Sequence, residues 1–247
     1  MTAATEDRTD LIEATGRLAM YSLLSTGLAF PSAERLGLLK SRLLPAVAML
    51  LLPAPLEGIV EALTASLPGD VPAARQHHLV LFPPIASQDA PGYETGYRGH
   101  GIFQQTGTMA DIAGFYRAHG LRAGGEEKER PDHITVELEF MAVLAKKEAL
   151  ALQQGASEKA SICRDTSALF LSEHLACWAP AFGRRIGAIS TSPWFQNLGE
   201  LVALWVEYDL TCLGVVPVEV ADGPLPQDEL DDGSCGPCPA PPPGLTP

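Results

Sequence analysis

Residues 125–155 read GEEKERPDHITVELEFMAVLAKKEALALQQG. A Gly-Gly pair (Gly124, Gly125) and a charged run lead to Pro131, and a long apolar-periodic segment follows. Proline at the first helical position is tolerated, because that N–H would have no partner anyway. Asp132 is then expected in the first turn, where its charge meets the positive end of the helix dipole. Ile134, Leu138, Met141 and Ala145 recur at helical spacing and predict one buried stripe, widened by Phe140, Leu144 and Leu152. Glu137, Glu139, Lys146 and Lys147 are expected mostly outside it. The pattern predicts a helix of about six turns. His133 stands at its polar start, next to Asp132 and four residues before Glu137.

The remaining chain is punctuated by proline and glycine. A helix over 10–29 is expected, capped by Asp10 and stopped at Pro31. Ser32 opens a helix that meets Pro45. A short helix over 46–52 and another over Leu56–Leu67 follow. Pro68-Gly69-Asp70 is a turn, and Val71–Leu81 is a short helix that Pro83-Pro84 ends. Residues 83–103 form the longest irregular stretch inside the chain. It holds Tyr93, Tyr97, Phe103 and His100, and its aromatics argue for order. A helix from Thr106 or Thr108 to about His119 is expected next. Ser157–Ala176, Cys177–Ile189 and a last helix opened by Ser192-Pro193-Trp194 complete the set. Only Val215–Val220 resembles a strand. The expectation is an all-α fold: a single compact multi-helix domain over 1–216. From Pro217 the chain is acidic, carries no basic residue and ends CGPCPAPPPGLTP. Such a Pro/Gly-rich tail, 217–247, is expected to be flexible or to lie on the surface.

Composition narrows the function. The 247 residues are 46% hydrophobic, enough for a substantial core. The longest apolar run, Ala46–Leu52, is far short of the roughly 20 residues of a membrane helix, so no stable membrane insertion is expected. The start, MTAATEDRTD, lacks the basic-then-apolar pattern of a signal peptide, and a cytoplasmic location is expected. A net charge of −13 disfavours nucleic acid and favours a cationic partner. Of five cysteines, Cys163, Cys177 and Cys212 fall in expected helices as reduced, buried side chains.

Three stretches then carry a resemblance: RLAMYSLLSTGLAFP (17–31), PGYETGYRGHGIFQQTGTMADIAGFYRAHGL (91–121) and ERPDHITVELEFMAVLAKKE (129–148). Their order and the Glu129-x-Pro131-Asp132-His133-Ile134 arrangement resemble the TorD/DmsD/NarJ family of redox-enzyme maturation chaperones. The acidic CGPC tail departs from that pattern, and its shape suggests the branch serving DMSO-reductase-type dehydrogenases. The resemblance implies a TorD-like helical fold, no catalytic residues and no cofactor. It implies a molybdenum-enzyme catalytic subunit precursor, and its twin-arginine leader, as partner. Asp132, His133, Pro131, Glu137 and Tyr21 are the partner-binding residues this implies, with Tyr93, Glu94 and Tyr97 of the middle segment beside them. On that reading, replacing Asp132 and His133 by alanine weakens binding and leaves stability nearly intact. A monomer, or a dimer that exchanges helices about the 83–103 segment, fits the family.

Other readings compete. His133 and Glu137 at i, i+4 are half of a metal site, to be completed by His100 or His174, but no second paired motif supplies ligands. Cys235-Gly-Pro-Cys238 has thiol-redox or metal-capture spacing, without the fold that normally presents it. A helical enzyme using His133 with Asp132 or Glu137 as an acid–base pair lacks a nucleophile motif and a cofactor signature. No phosphate-binding loop is present.

Overall fold

Proline and glycine positions set where each helix starts and stops in the computed structural model, which describes residues 3–83, 89–98, 101–122 and 129–226. Helix α1 (Ala3–Leu28) begins before Asp10, so that residue lies inside the helix rather than at its cap. Ser32 caps α2 (Ala33–Leu38) by accepting from the Arg35 N–H. The chain does not break at Pro45. A widened π turn (Leu39–Leu43) leads straight into α3 (Leu44–Ala48), which carries Pro45 in its first turn, where a missing N–H is harmless. Helix α4 spans Ala54–Ala65, and α5 spans Val71–Leu81 behind an Asp70 cap that accepts from the Ala73 N–H. Helix α6 (Ile102–Ala118) starts ahead of Thr106, after Gly101 at φ 87°, a conformation open to glycine.

Helix α7 (Ile134–Gln153) is the centre. Its first helical residue is Ile134, with His133 as N-cap, so Pro131 and Asp132 lie in the turn before it and not in its first turn. The predicted stripe is buried: Ile134, Leu138, Met141, Ala145, Phe140 and Leu144 are all within it. Glu137 departs from expectation, being fully buried on the core side. Helix α1 packs most extensively on α7, and α7 in turn on α8 (Ser157–Phe170). A second π turn (Leu171–Leu175) joins α8 to α9 (Ala176–Ile189) without a break, upstream of Pro180. Proline clashes with the carbonyl four residues earlier, and a widened turn is one way a helix absorbs that misfit.

Helix α10 (Pro193–Leu213) lies against α9 and ends at Gly214 in the left-handed region. Gly183 and Gly199 let the two backbones touch: a Cβ on either would strike the other's carbonyl oxygen. The Val215–Val220 run forms no strand. It crosses back over the π turn, where the Ser172 hydroxyl donates to the Val216 carbonyl (2.6 Å) and the Val218 N–H donates to the Ser172 carbonyl (3.0 Å). Farther along, the Leu225 N–H reaches the Gly96 carbonyl at 2.8 Å. Among the described residues there is one isolated β-bridge, no strand, and no helix long and apolar enough to cross a membrane. Cys163 and Cys177 are buried free thiols, whereas Cys212 is half-exposed. His100, Cys235 and Cys238 lie outside the described residues.

Candidate functional site

The residues around His133 are joined to those around Tyr93 by backbone. Tyr93 and His133 form an antiparallel bridge, in which the Glu94 N–H donates to the Asp132 carbonyl and the Ile134 N–H to the Gly92 carbonyl, both at 2.9 Å. Gly92 makes the approach close: a Cβ there would stand 3.1 Å from His133 Nε2, and the ring would have to yield by a few tenths of an ångström. Asp132 is fully buried beneath this bridge. Arg130 clamps its carboxylate with two N–H donors, at 2.9 and 2.8 Å, and the Thr95 hydroxyl donates at 2.8 Å. The same guanidinium lies 4.5 Å from the centroid of the Tyr93 ring. The Tyr93 hydroxyl donates to Glu129 (3.1 Å), and the Tyr116 hydroxyl donates to the Pro131 carbonyl (2.8 Å). The two segments are therefore one knot, and Asp132 is its internal fastening. This burial revises the expectation that Asp132 can be removed without loss of stability, because its partners would lose a shared acceptor.

His133 and Glu137 do not converge. His133 Nδ1 accepts from the Thr135 N–H (3.3 Å) and faces the Thr135 hydroxyl (2.7 Å), which caps the helix. Its ring meets Tyr93 edge-on at 5.0 Å. Burial lowers its pKa, against the pull of Glu129 and Asp132, and favours the neutral ring. The Glu137 carboxyl turns the other way, toward the Trp178 indole N–H (3.2 Å). Burial first, and Glu94 second, raise its pKa well above the carboxylate range. Tyr97 is buried against Trp178 (5.4 Å), and desolvation raises its pKa.

Tyr21 belongs to a second buried cluster, where α1, α7 and α10 meet. Its hydroxyl donates to Asp209 Oδ2 at 2.6 Å, and its ring meets Trp205 edge-on. One turn earlier on α1, Arg17 pairs with Glu148 of α7 at 2.6 Å, both nearly inaccessible to solvent. Above this cluster opens a pocket of about 300 Å³ lined by Ile12, Gly16, Met49, Leu51, Trp205 and Asp209, among others. Its edge is apolar and open: Met49 is 83% exposed, Leu51 101% and Ile12 61%. Arg17, Glu148, Asp209, Met49 and Leu51 were not legible as site residues. Arg17 carried one signal, a charge on the face that also holds Ala14, Tyr21 and Leu24.

Asp209 makes this cluster pH-sensitive. Burial lifts its pKa to about 6, although Tyr21 and Arg17 pull it down. A pKa raised on folding means that the folded form holds the proton more tightly. The contribution is complete below the unfolded value near 4 and is lost as pH rises through about 6. His78, lowered to about 4 by desolvation, works in the opposite direction on acidification, so the comparison is made against Asp209→Asn. Wild type is expected to gain on the order of 2–3 kcal/mol relative to Asp209→Asn between pH 6 and pH 4, read from urea midpoints. Parallel pH profiles for the two chains would remove the assignment.

The structure thus brings Tyr93, Glu94, Pro131, Asp132 and His133 together, sets Tyr97 and Glu137 behind them, and places Tyr21 in the other cluster. What emerges is an all-helical body with five acidic side chains buried among the described residues (Glu94, Asp132, Glu137, Glu148 and Asp209) and an open apolar pocket beside the α1–α10 contact. Residues 51–184, more than half of the chain, match the family described as nitrate reductase delta subunit, and the chain belongs to that family. It is 36% identical over 98 residues to the chlorate reductase assembly chaperone protein of Ideonella dechloratans. It is 35% identical over 98 residues to the selenate reductase assembly chaperone protein of Thauera selenatis. Each match covers 39% of this chain, and the chain spans about half the length of those two relatives, 50% of each. The perchlorate reductase assembly chaperone protein of Dechloromonas aromatica is 28% identical over 207 residues, which cover 78% of this chain and 88% of that one.

Proposed function

We propose that this chain is an assembly chaperone that holds the catalytic subunit precursor of a molybdenum-cofactor oxidoreductase, including its twin-arginine leader, before cofactor insertion and export. It acts in the cytoplasm by binding and makes or breaks no bond. The observation that carries this reading is the pocket between α1, residues 49–52 and α10. A leader of this kind offers apolar side chains beside guanidinium groups. The pocket offers apolar walls (Ile12, Met49, Leu50, Leu51, Leu52) together with the Glu13 carboxyl at its edge and Asp209 buried at its floor. Exposed side chains as large as Met49 and Leu51 forgo burial worth about 25 cal/mol per Å², and such patches mark contact surfaces. A chain charge of −13 steers a cationic segment toward it. The names of the relatives support the same class of role.

On this reading the site residues divide by exposure. Tyr93, Pro131 and His133 are half-buried and available to a partner, whereas Asp132, Glu94, Tyr97, Glu137 and Tyr21 support the surface from inside. The test is calorimetric binding of a synthetic twin-arginine leader and of the apo-subunit. Met49→Asp/Leu51→Asp is expected to weaken capture at least 30-fold with an unchanged melting temperature, since both side chains already lie in water. Equal affinity in the double variant and wild type would refute the pocket. Absence of binding by wild type to both ligands would refute the function.

A further inference from the structure

The π turn at Leu171–Leu175 turns Glu173 and His174 toward Asp111 of α6, beside an open cavity of about 480 Å³. One ligand atom from each of the three lies within 4.8 Å of the others. The His174 side chain is 5% exposed, and its Nδ1 stands 3.1 Å from Glu94 Oε2. Arg98 donates to the other oxygen of Glu94 at 2.6 Å. A carboxylate accepts, so Nδ1 carries a ring proton, and Nε2 is the position left for a second proton or a metal ion. That nitrogen is buried, has no hydrogen-bond partner among the described residues, and lies 3.3 Å from Asp111 Oδ2. Phe115 and Phe170, at 5.5 and 5.2 Å, hold the ring in place.

A ring nitrogen facing two carboxylates calls for a positive charge between them, either a proton on Nε2 or a metal ion. The arrangement matches a metal-binding histidine, whose second N–H is given to a carboxylate that orients the ring. Two ligands about 2.0–2.1 Å from a tetrahedral ion stand about 3.3 Å apart, which is the separation of His174 Nε2 and Asp111 Oδ2. Imidazole with carboxylates suits a first-row transition ion rather than Mg²⁺ or Ca²⁺. Asp111 is exposed and Glu173 half-buried, so both can swing onto an ion that the fixed His174 positions. Widened helical turns of this kind occur often at functional sites.

We propose that His174, Asp111 and Glu173 bind one divalent transition ion, Zn²⁺ fitting best, with Glu94 as the outer partner of His174 and a fourth position left to water. The ion clasps α6 to the α8–α9 junction. It does so beside Arg98, which also bonds Glu219 of the crossing segment at 3.1 Å. This site is separate from the apolar pocket, and client binding does not enter its test.

The experiment uses the full-length chain with Cys235→Ser/Cys238→Ser, so that tail thiols do not compete. After chelation and desalting, Co²⁺ is titrated by visible absorption and Zn²⁺ by calorimetry. One ion per chain is expected, with a melting temperature that rises with Zn²⁺. Asp111→Asn and Glu173→Gln change accessible side chains. Each is expected to weaken binding at least 10-fold and their combination at least 100-fold, with metal-free melting little changed. The absence of one-to-one binding overturns the proposal. So does binding that survives in the double variant, which would place the ion elsewhere. An Asp111→Asn chain that loses stability while wild type shows no metal dependence would identify an imidazolium–carboxylate cluster instead.

Discussion

Arg17→Ala is expected to lower unfolding free energy by about 3–5 kcal/mol, the range for breaking a buried ion pair by removing one partner. Arg17 and Glu148 are 3% and 2% exposed and 2.6 Å apart. Burial works against the guanidinium charge, but Glu148 and Asp209 outweigh it and raise its pKa. Without Arg17, the Glu148 carboxylate keeps Arg164 at 3.6 Å as its remaining cation among the described residues. Asp209 loses an attractive charge at the same moment. The loss falls on the interface between α1 and α7, the most extensive in the fold. Urea unfolding measures it. Arg17→Met/Glu148→Met is expected to be more stable than Arg17→Ala alone, because it leaves no orphaned charge at that pair. A loss below 1 kcal/mol for Arg17→Ala would mean that water reaches the pair.

Arg130→Ala is the second large effect, expected at about 2–3 kcal/mol. It leaves the Asp132 carboxylate fully buried with Thr95 as its remaining side-chain donor. The figure is below that for Arg17 because the Arg130 side chain is 44% exposed, and solvent already screens the pair. The effect has a local signature. The Glu94 and Ile134 amides, bonded across the bridge, should lose hydrogen-exchange protection before the α7 interior does. Arg130→Ala/Asp132→Ala should recover part of the loss, because the unpaired charge is then gone. Strict additivity of the two substitutions would show that they do not act as a pair.

Much of the helix map was legible from local chemistry. Ser32 caps the helix it was expected to open, and α7 buries the predicted apolar stripe. The errors came from neighbours the local pattern cannot see. Pro45 did not end its helix, because the chain could place it in a first turn behind a π turn. Along α7 alone Glu137 reads as a solvent-facing charge, but Trp178 of α9 supplies its partner. At the site, the PDH motif and Tyr93 were legible. The pairing of Asp132 with Arg130, only two residues away, had a sequence signal that the helix-dipole reading displaced.

Sequence by itself determined the helical class, the central segment and the family pattern, because spacing, caps and breakers act within a few residues. Tertiary structure decided which charges are buried and, for pairs distant in sequence, with whom. Tyr21 meets Asp209 across 188 positions, Arg17 meets Glu148 across 131, and His174 meets Glu94 across 80. A charge leaves water only where a partner is brought to it. That partner is chosen by how the helices pack, which no single helix encodes.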